Sequence, residues 1–360
     1  MNISFILPLT AMLLGVAYST WRIASIFPIA PLGRWLIAGA WLACFVLLIM
    51  SFVFRDSTPL WFARISYPLV TSWVIYLLYA VMLFILIDLL RLVPLLRPYL
   101  EPSWTLAALV WIVIVSIFTY GSIRYRHKVR VPLDLQLSRP LAKPLKVVAL
   151  SDMHLGYTIG RGELTEWVQL INNERPDLVL IAGDMVDGDT RPVVADSLAE
   201  VLNQIEAPIY ACLGNHEYIG GEADARAFLG ATKVQLLRDS AVLHDEQVYI
   251  VGRDDRSNPY RKTTAELVAG LDPTRPVILL DHQPYHLEES EAAGVDLQLS
   301  GHTHRGQVFP LNLIVDRMYE LSHGYKQRGR THYYISSGIG IWGGKYRIGT
   351  QSEYAVITIY

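Results

Sequence analysis

The chain is short of the residues that staple a small secreted fold. It has two cysteines, Cys44 and Cys212, in 360 residues. A disulfide framework is therefore excluded, and a reducing compartment fits this usage. Base is not in excess either. With 31 Lys or Arg against 33 Asp or Glu and a net charge of -2, the chain lacks the positive surface that nucleic acid demands, and no nucleic-acid partner is expected. It has no internal repeat and no low-complexity tract. The sharpest absence is local. Only nine Asp, Glu, Lys or Arg fall in the first 120 residues, against 55 in the remaining 240. A positive mean hydropathy of +0.29 is thus the average of a membrane-like part and an ordinary soluble part. A chain of this length is expected to form two domains or one large one.

Four apolar runs fill the charge-poor part, roughly Ile3 to Tyr18, Trp35 to Phe54, Tyr67 to Leu90 and Trp104 to Ile123. A helix needs about 20 mostly apolar residues to cross a bilayer core, and the last three runs meet that. The first is shorter and is open to reading as a signal peptide, although it has no basic start and no convincing cleavage site. Trp61, Tyr99 and Trp104 stand where interfacial aromatics anchor spans. Four spans put both termini on one side, with Arg55, Arg64, Arg124, Arg126, Lys128 and Arg130, against Arg22, Arg34, Arg91 and Arg97 on the other. That bias favours a cytoplasmic C-terminal domain. Asp88, the one acid within a run, is expected at the interface beside Arg91. The basic "RYRHKVR" at 124–130 reads as a segment lying against anionic headgroups.

From Leu145 onward, strand-like apolar runs ("LKVVALSD", "DLVLIAGD", "PIYACLGN", "PVILLDHQP", "DLQLSGHTH") alternate with amphipathic helical stretches such as "GELTEWVQLINN". This is an α/β pattern. Polar groups follow the strands: Asp152 and His154, then Asp184 and Asp187, then Asn215, His216 and Glu217, then His282, then His302 and His304. In open α/β folds ligands bind beyond the carboxyl ends of strands. An HxH pair alone reads equally as two ligands on one side of an extended segment or as two polar residues in a turn. The mixture of imidazole, carboxylate and amide oxygen suits a borderline transition ion such as Mn, Fe or Zn rather than Ca.

Asp-x-His, Gly-Asp-x-x-Asp, Gly-Asn-His-Glu, a single His and Gly-His-Thr-His, in that order over about 145–360, resemble the signature of the calcineurin-like metallophosphoesterases. The resemblance implies a four-layer α/β sandwich, here carried by a four-helix transmembrane region. It also implies two divalent ions, Mn before Fe or Zn. Asp152, His154 and His304 would hold one ion, Asn215, His282 and His302 the other, and Asp184 would bridge them. Two ions so arranged bind phosphoryl oxygens and activate a water. By the same resemblance His216 is the catalytic histidine. Asp187 is expected to support the ligands from behind. Arg305, where many relatives carry glycine, either clamps a phosphate or pairs with a local acid. His323, Tyr325, Lys326 and Trp342 lie in segments expected to rim the site.

The expected organisation is a transmembrane region over 1–123, a basic juxtamembrane linker over 124–144 and the phosphoesterase domain over 145–360. The expected function is hydrolysis of a phosphodiester or diphosphate of a phosphorylated or nucleotide-linked lipid at a bacterial cell membrane. The membrane-associated branch that the chain resembles includes enzymes acting on UDP-2,3-diacylglucosamine. An extracytoplasmic phosphodiesterase, and a transporter or sensor with a regulatory phosphoesterase-like domain, are the alternatives.

Overall fold

The computed structural model describes residues 3–360. The chain forms two compact units, one up to Gly121 and one from Ser122 to Tyr360. The first contains α1 (Ile3–Ile26), α2 (Pro31–Val53), α3 (Leu60–Leu90) and most of α4 (Trp104–Arg126). All four are long and apolar enough to cross a membrane, and the chain is a multi-pass membrane protein. At 31 residues, α3 is about 45 Å long, more than a bilayer core of about 30 Å requires. Large apolar side chains such as Leu14, Leu36, Trp35 and Ile65 point outward from these helices, as lipid-facing residues do.

Asp88, near the end of α3, finds its partners on α1. Its carboxylate takes an ion pair from the buried Arg22 at 2.6 Å and a hydrogen bond from the Tyr18 hydroxyl at 2.6 Å. Because α1 runs on to Ile26, Arg22 lies inside the helix bundle rather than in a connector. A charge removed from water needs a partner, and Asp88 supplies it.

The second unit is built on twelve strands: β1 (Lys128–Leu135), β2 (Leu145–Leu150), β3 (Leu178–Ala182), β4 (Ile209–Cys212), β5 (Val234–Leu236), β6 (Ser240–His244), β7 (Val248–Gly252), β8 (Val277–Leu280), β9 (Leu297–Ser300), β10 (Gly324–Arg328), β11 (Thr331–Ile335) and β12 (Ser352–Ile359). They form two six-stranded mixed sheets, ordered β1-β12-β2-β3-β4-β5 and β10-β11-β9-β8-β7-β6. The helices are α5 (Arg161–Glu174), α6 (Arg191–Ala195), α7 (Leu198–Leu202), α8 (Asn215–Gly220), α9 (Glu222–Gly230), α10 (Thr264–Val268), α11 (Leu287–Ala293) and α12 (Leu311–Met318).

The period-2 geometry of strands explains the layering. Val147 and Ala149 of β2, Leu178 and Leu180 of β3, and Tyr210 and Cys212 of β4 meet Val248, Ile250, Ile278, Leu280, Leu297 and Leu299 of the other sheet. The alternate residues Val148, Leu150, Val179, Ile181, Ile209 and Ala211 pack under Trp167, Val168 and Ile171 of α5 and Phe228 and Leu229 of α9. On the far side, Val251, Val277 and Leu279 pack with Leu267 of α10. The result is two sheets face to face with helices outside them. Both faces of each sheet are apolar because both are covered.

The stretch expected as a basic linker is structured. After α4 ends at Arg126, β1 pairs in parallel with β12 from Lys128↔Ser352 to Leu135↔Ile359. Tyr125 is buried in the core beneath α5 and hydrogen-bonds Glu163. The cations of this stretch have partners within the domain: Lys128 with Glu163 at 3.5 Å, Arg130 with Glu174 at 2.7 Å. Alternating Val129, Val131 and Leu133 give it strand character that a count of basic residues conceals.

Candidate metal centre

Five strand ends deliver the polar groups to one place. β2, β3 and β4 of the first sheet lead into Asp152 and His154, Asp184 and Asp187, and Asn215 and His216. β8 and β9 of the second lead into His282 and into His302 and His304. The ligand atoms of Asp152, His154 and His304 lie within 4.8 Å of one another, as do those of Asp184, His282 and His302. His154 Nε2 is 2.9 Å from His304 Nε2, which is 3.4 Å from Asp152 Oδ1. Asn215 Oδ1 is 2.7 Å from His302 Nδ1 and 3.1 Å from His282 Nε2. Asp184 stands between the groups, its Oδ2 3.1 Å from His282 Nε2 and 3.8 Å from His154 Nε2.

The protonation pattern fits cations. His282 Nδ1 lies 2.8 Å from the Ala182 carbonyl oxygen, which only accepts, so that nitrogen carries the proton and Nε2 of the neutral ring offers a lone pair. That lone pair faces the oxygens of Asp184 and Asn215. Positive charge has to lie among three such acceptors. Burial alone would lower His282, yet the charge of Asp184 pushes its pKa well up, and a divalent ion satisfies the same need by displacing that proton. Burial, with the charge of His154 beside it, holds His304 well below the ordinary imidazole value, and burial with His282 nearby takes His302 down to about 4. Both are therefore neutral, the form that ligates metal. Imidazole, carboxylate and amide oxygen in two groups joined by one carboxylate make a dinuclear metal-binding site of a phosphoesterase.

His216 and Asp187 form a pair behind the first group. His216 Nδ1 is 3.0 Å from Asp187 Oδ1, and the same oxygen is 3.5 Å from His154 Nδ1. The His216 backbone N–H also donates to Asp184 Oδ1 at 2.8 Å. Burial works against a charged His216, but the fields of Asp184 and Asp187 outweigh it and push the imidazole up to about 9. Burial likewise opposes ionisation of Asp187, and the adjacent imidazoles of His154 and His216 more than offset it, leaving the carboxyl below its usual range. By distance alone His216 also belongs with His154 and Asp184.

The frame around the centre is held by buried charged groups. Glu217 is buried; its carboxylate accepts from the backbone N–H of Gly214 at 2.7 Å, Val186 at 2.9 Å and Asp184 at 3.2 Å. It ties the β3 and β4 ends together. Arg347 is fully buried and donates to the carbonyls of His304 at 2.8 Å, Ser337 at 2.5 Å and Gly340 at 3.0 Å. Nothing in "GGKYRIG" marks this arginine, because, the Ser352 hydroxyl and the His304 ring aside, its partners are backbone oxygens. Glu353 accepts from Tyr334 Oη, the Ser337 N–H, His323 and Gln351.

Backbone strain concentrates here. Asp152, His154, Asp184, His302, His304 and Arg305 all have left-handed φ between 46° and 70°, a conformation that costs non-glycine residues of order 1 kcal/mol each. Two glycines permit the approach. At Gly183, with φ +80°, a Cβ would stand 2.6 Å from His282 Nδ1, and at Gly214 one would collide with the Asp184 carboxylate.

Other expected residues lie elsewhere. Arg305 points at Asp316, with Nη2 3.3 Å from Oδ2, so it pairs with a local acid. His323 serves Glu353, Tyr325 meets His332 at 2.8 Å, and Lys326 meets Glu320 at 2.8 Å. Trp342 does reach the site: its ring centroid is 6.5 Å from that of His216.

The profile of the calcineurin-like phosphoesterases matches residues 145–306. A metallophosphoesterase of Aquifex aeolicus is 33% identical over 61% of this chain and 87% of its own. One of Helicobacter pylori is 34% identical over 61% of this chain, which spans 60% of that relative's length. A transmembrane protein with a metallophosphoesterase domain from Danio rerio is 28% identical over 96% of this chain and 82% of its own. Profile, relatives and a dinuclear centre at the strand ends agree, and the chain belongs to the calcineurin-like phosphoesterases.

Proposed function

We propose that the protein hydrolyses a phosphodiester or diphosphate bond of a lipid-linked substrate at the membrane that holds it, UDP-2,3-diacylglucosamine-type diphosphates being the first class to examine. One observation carries this reading: a dinuclear phosphoesterase centre and four helices able to span a membrane occupy one chain. We read residues 1–123 as the anchor and 145–360, with 128–135 as edge strand, as the catalytic domain. Asp152, His154 and His304 would hold one ion and Asn215, His282 and His302 the other, with Asp184 between them offering a carboxylate to both. Mn is the first choice among Mn, Fe and Zn for this donor set. Such ions supply positive charge to the phosphoryl oxygens and acidify water.

The chain's own residues supply the rest. His216 donates a proton to the leaving oxygen, a role its raised pKa supports. Asp187 fixes the proton on His216 Nδ1 and holds the ring in place. Trp342, beside His216 and half-exposed, forms an apolar wall for the leaving group. With Arg22 inside the helix bundle, the remaining connector cations favour a cytoplasmic catalytic domain at a bacterial cell membrane.

The test is phosphorus NMR of full-length, Mn-loaded protein in lipid nanodiscs, offered UDP-linked lipids, glycerophospholipids and soluble nucleotide diesters. Conversion of a lipid is expected to exceed that of the soluble esters. Turnover of soluble esters with every lipid untouched would sink the lipid reading and leave the phosphoesterase.

A further inference from the structure

The helix that follows the Gly-His-Thr-His loop is unlike the others of the second unit. In α12, Leu311, Ile314 and Met318 recur at the spacing of one helical face, with Leu313 beside them. All four are exposed, Leu313 and Ile314 by 55% and Met318 by 63%, and Phe309 just before the helix is 44% exposed. Five large apolar side chains within ten residues therefore face outward. The opposite face is fixed to the protein: Asn312 is buried, and Asp316 accepts from Ser322 Oγ and pairs with Arg305. Arg317 is exposed on the same helix and makes no ion pair among the described residues.

Two sets of contacts say what this face meets. Toward the metal centre, Gly306 packs directly against the backbone of Leu311 and Asn312, Thr303 Oγ1 donates to the Ser322 carbonyl at 2.6 Å, and Gln307 Nε2 donates to the Trp342 carbonyl at 3.0 Å. The metal loop, α12 and the Trp342 loop are therefore tied into one rim. Toward α4, the Phe309 N–H donates to the Ile348 carbonyl at 2.7 Å and Thr350 Oγ1 to the Gln307 carbonyl, while neighbouring Gln351 takes a hydrogen bond from Arg124 at 3.2 Å. Arg124 lies in the last turn of α4. Within the second unit, the segment that opens the apolar helix is thus tied to the end of a helix long and apolar enough to cross a bilayer.

We propose that the apolar face of α12, with Phe309, lies in the headgroup–acyl boundary of that same bilayer, holding the mouth of the metal centre at the level of the phosphates. An amphipathic helix with apolar side chains on one face and a cation free for anionic headgroups binds such an interface. This is a statement about docking, and it holds whichever phosphoester is cleaved.

The experiment uses full-length protein with Cys44→Ser, the buried Cys212 being left in place, in vesicles of phosphatidylethanolamine and phosphatidylglycerol. An environment-sensitive fluorophore is attached after Ile314→Cys or, as control, after Val194→Cys, an exposed apolar position on α6. Doxyl-labelled lipid is expected to quench the probe at 314 about twofold or more beyond that at 194, because side chains seated about 5–10 Å into the boundary meet the quencher. Equal quenching at both positions, or none at 314, overturns the proposal. A probe at 314 shielded from aqueous iodide but untouched by lipid quencher also overturns it and assigns the face to a protein partner.

Discussion

Arg347→Met isolates the part of the metal centre that no motif announces. The guanidinium is buried, and burial depresses it to about 10 even with Asp152 and Glu353 nearby. Methionine has similar length and no donors, so the carbonyls of His304, Ser337 and Gly340 lose their partners. Each buried acceptor so stranded costs about 1–3 kcal/mol. Relief of the desolvation of a buried charge offsets part of the sum, so global stability falls by only a few kcal/mol. The local effect is larger. His304 sits at φ 46°, and Arg347 is its clamp; once freed, the ring no longer shares a point with His154 Nε2 and Asp152 Oδ1. Loss of such a support weakens metal binding by about 10–100-fold. Titration of chelator-treated protein with Mn, followed by isothermal calorimetry, should show one weakened site and one unchanged. Arg347→Lys, which keeps the charge but has no fork, should fall between. Two sites of unchanged affinity in Arg347→Met would refute the reasoning.

Asp184→Ala should lose both ions and all turnover, whereas Asn215→Ala should mainly weaken one; metal analysis showing two ions retained in Asp184→Ala would contradict a shared carboxylate. His216→Asn should keep both ions and lose about 10²–10⁴-fold in rate on poor leaving groups, with a smaller loss on nitrophenyl esters, as steady-state kinetics on the two ester classes will read. Glu353 bears on acid stability: burial raises its carboxyl, but the His323 hydrogen bond and its other partners bring it down to about 2 from 4.5. A carboxyl depressed in the folded state stabilises fully above the unfolded value, and this is lost as pH falls from about 4.5 toward 2, about 3 kcal/mol in all. Thermal melts of Glu353→Gln between pH 6 and 3 should therefore fall less steeply than those of the native chain.

Much of this protein is written locally. Runs of about 20 apolar residues are legible as spans because a bilayer demands length and hydropathy and little else. The five polar blocks are legible because each follows a strand on the same short segment, so a strand-by-strand reading already collects Asp152, Asp184, Asn215, His282 and His302 at one edge. Other features depend on contacts between distant segments, which no local pattern encodes. Basic residues at 124–130 read as a linker, yet β1 exists because β12, more than two hundred residues later, offers it an edge. Asp88 shows no partner on α1 until α1 and α3 pack and bring Arg22 to it. Arg305 carries either a phosphate or a local acid until α12 supplies Asp316. Arg347 carries no signal at all, since most of its partners are carbonyls, a group every residue has. Residue type and spacing determined which polar groups the strand ends would gather. Only the packing of the chain's segments decided which side chains hold those groups in place, because a hydrogen bond to a distant backbone leaves no mark on the sequence of either partner.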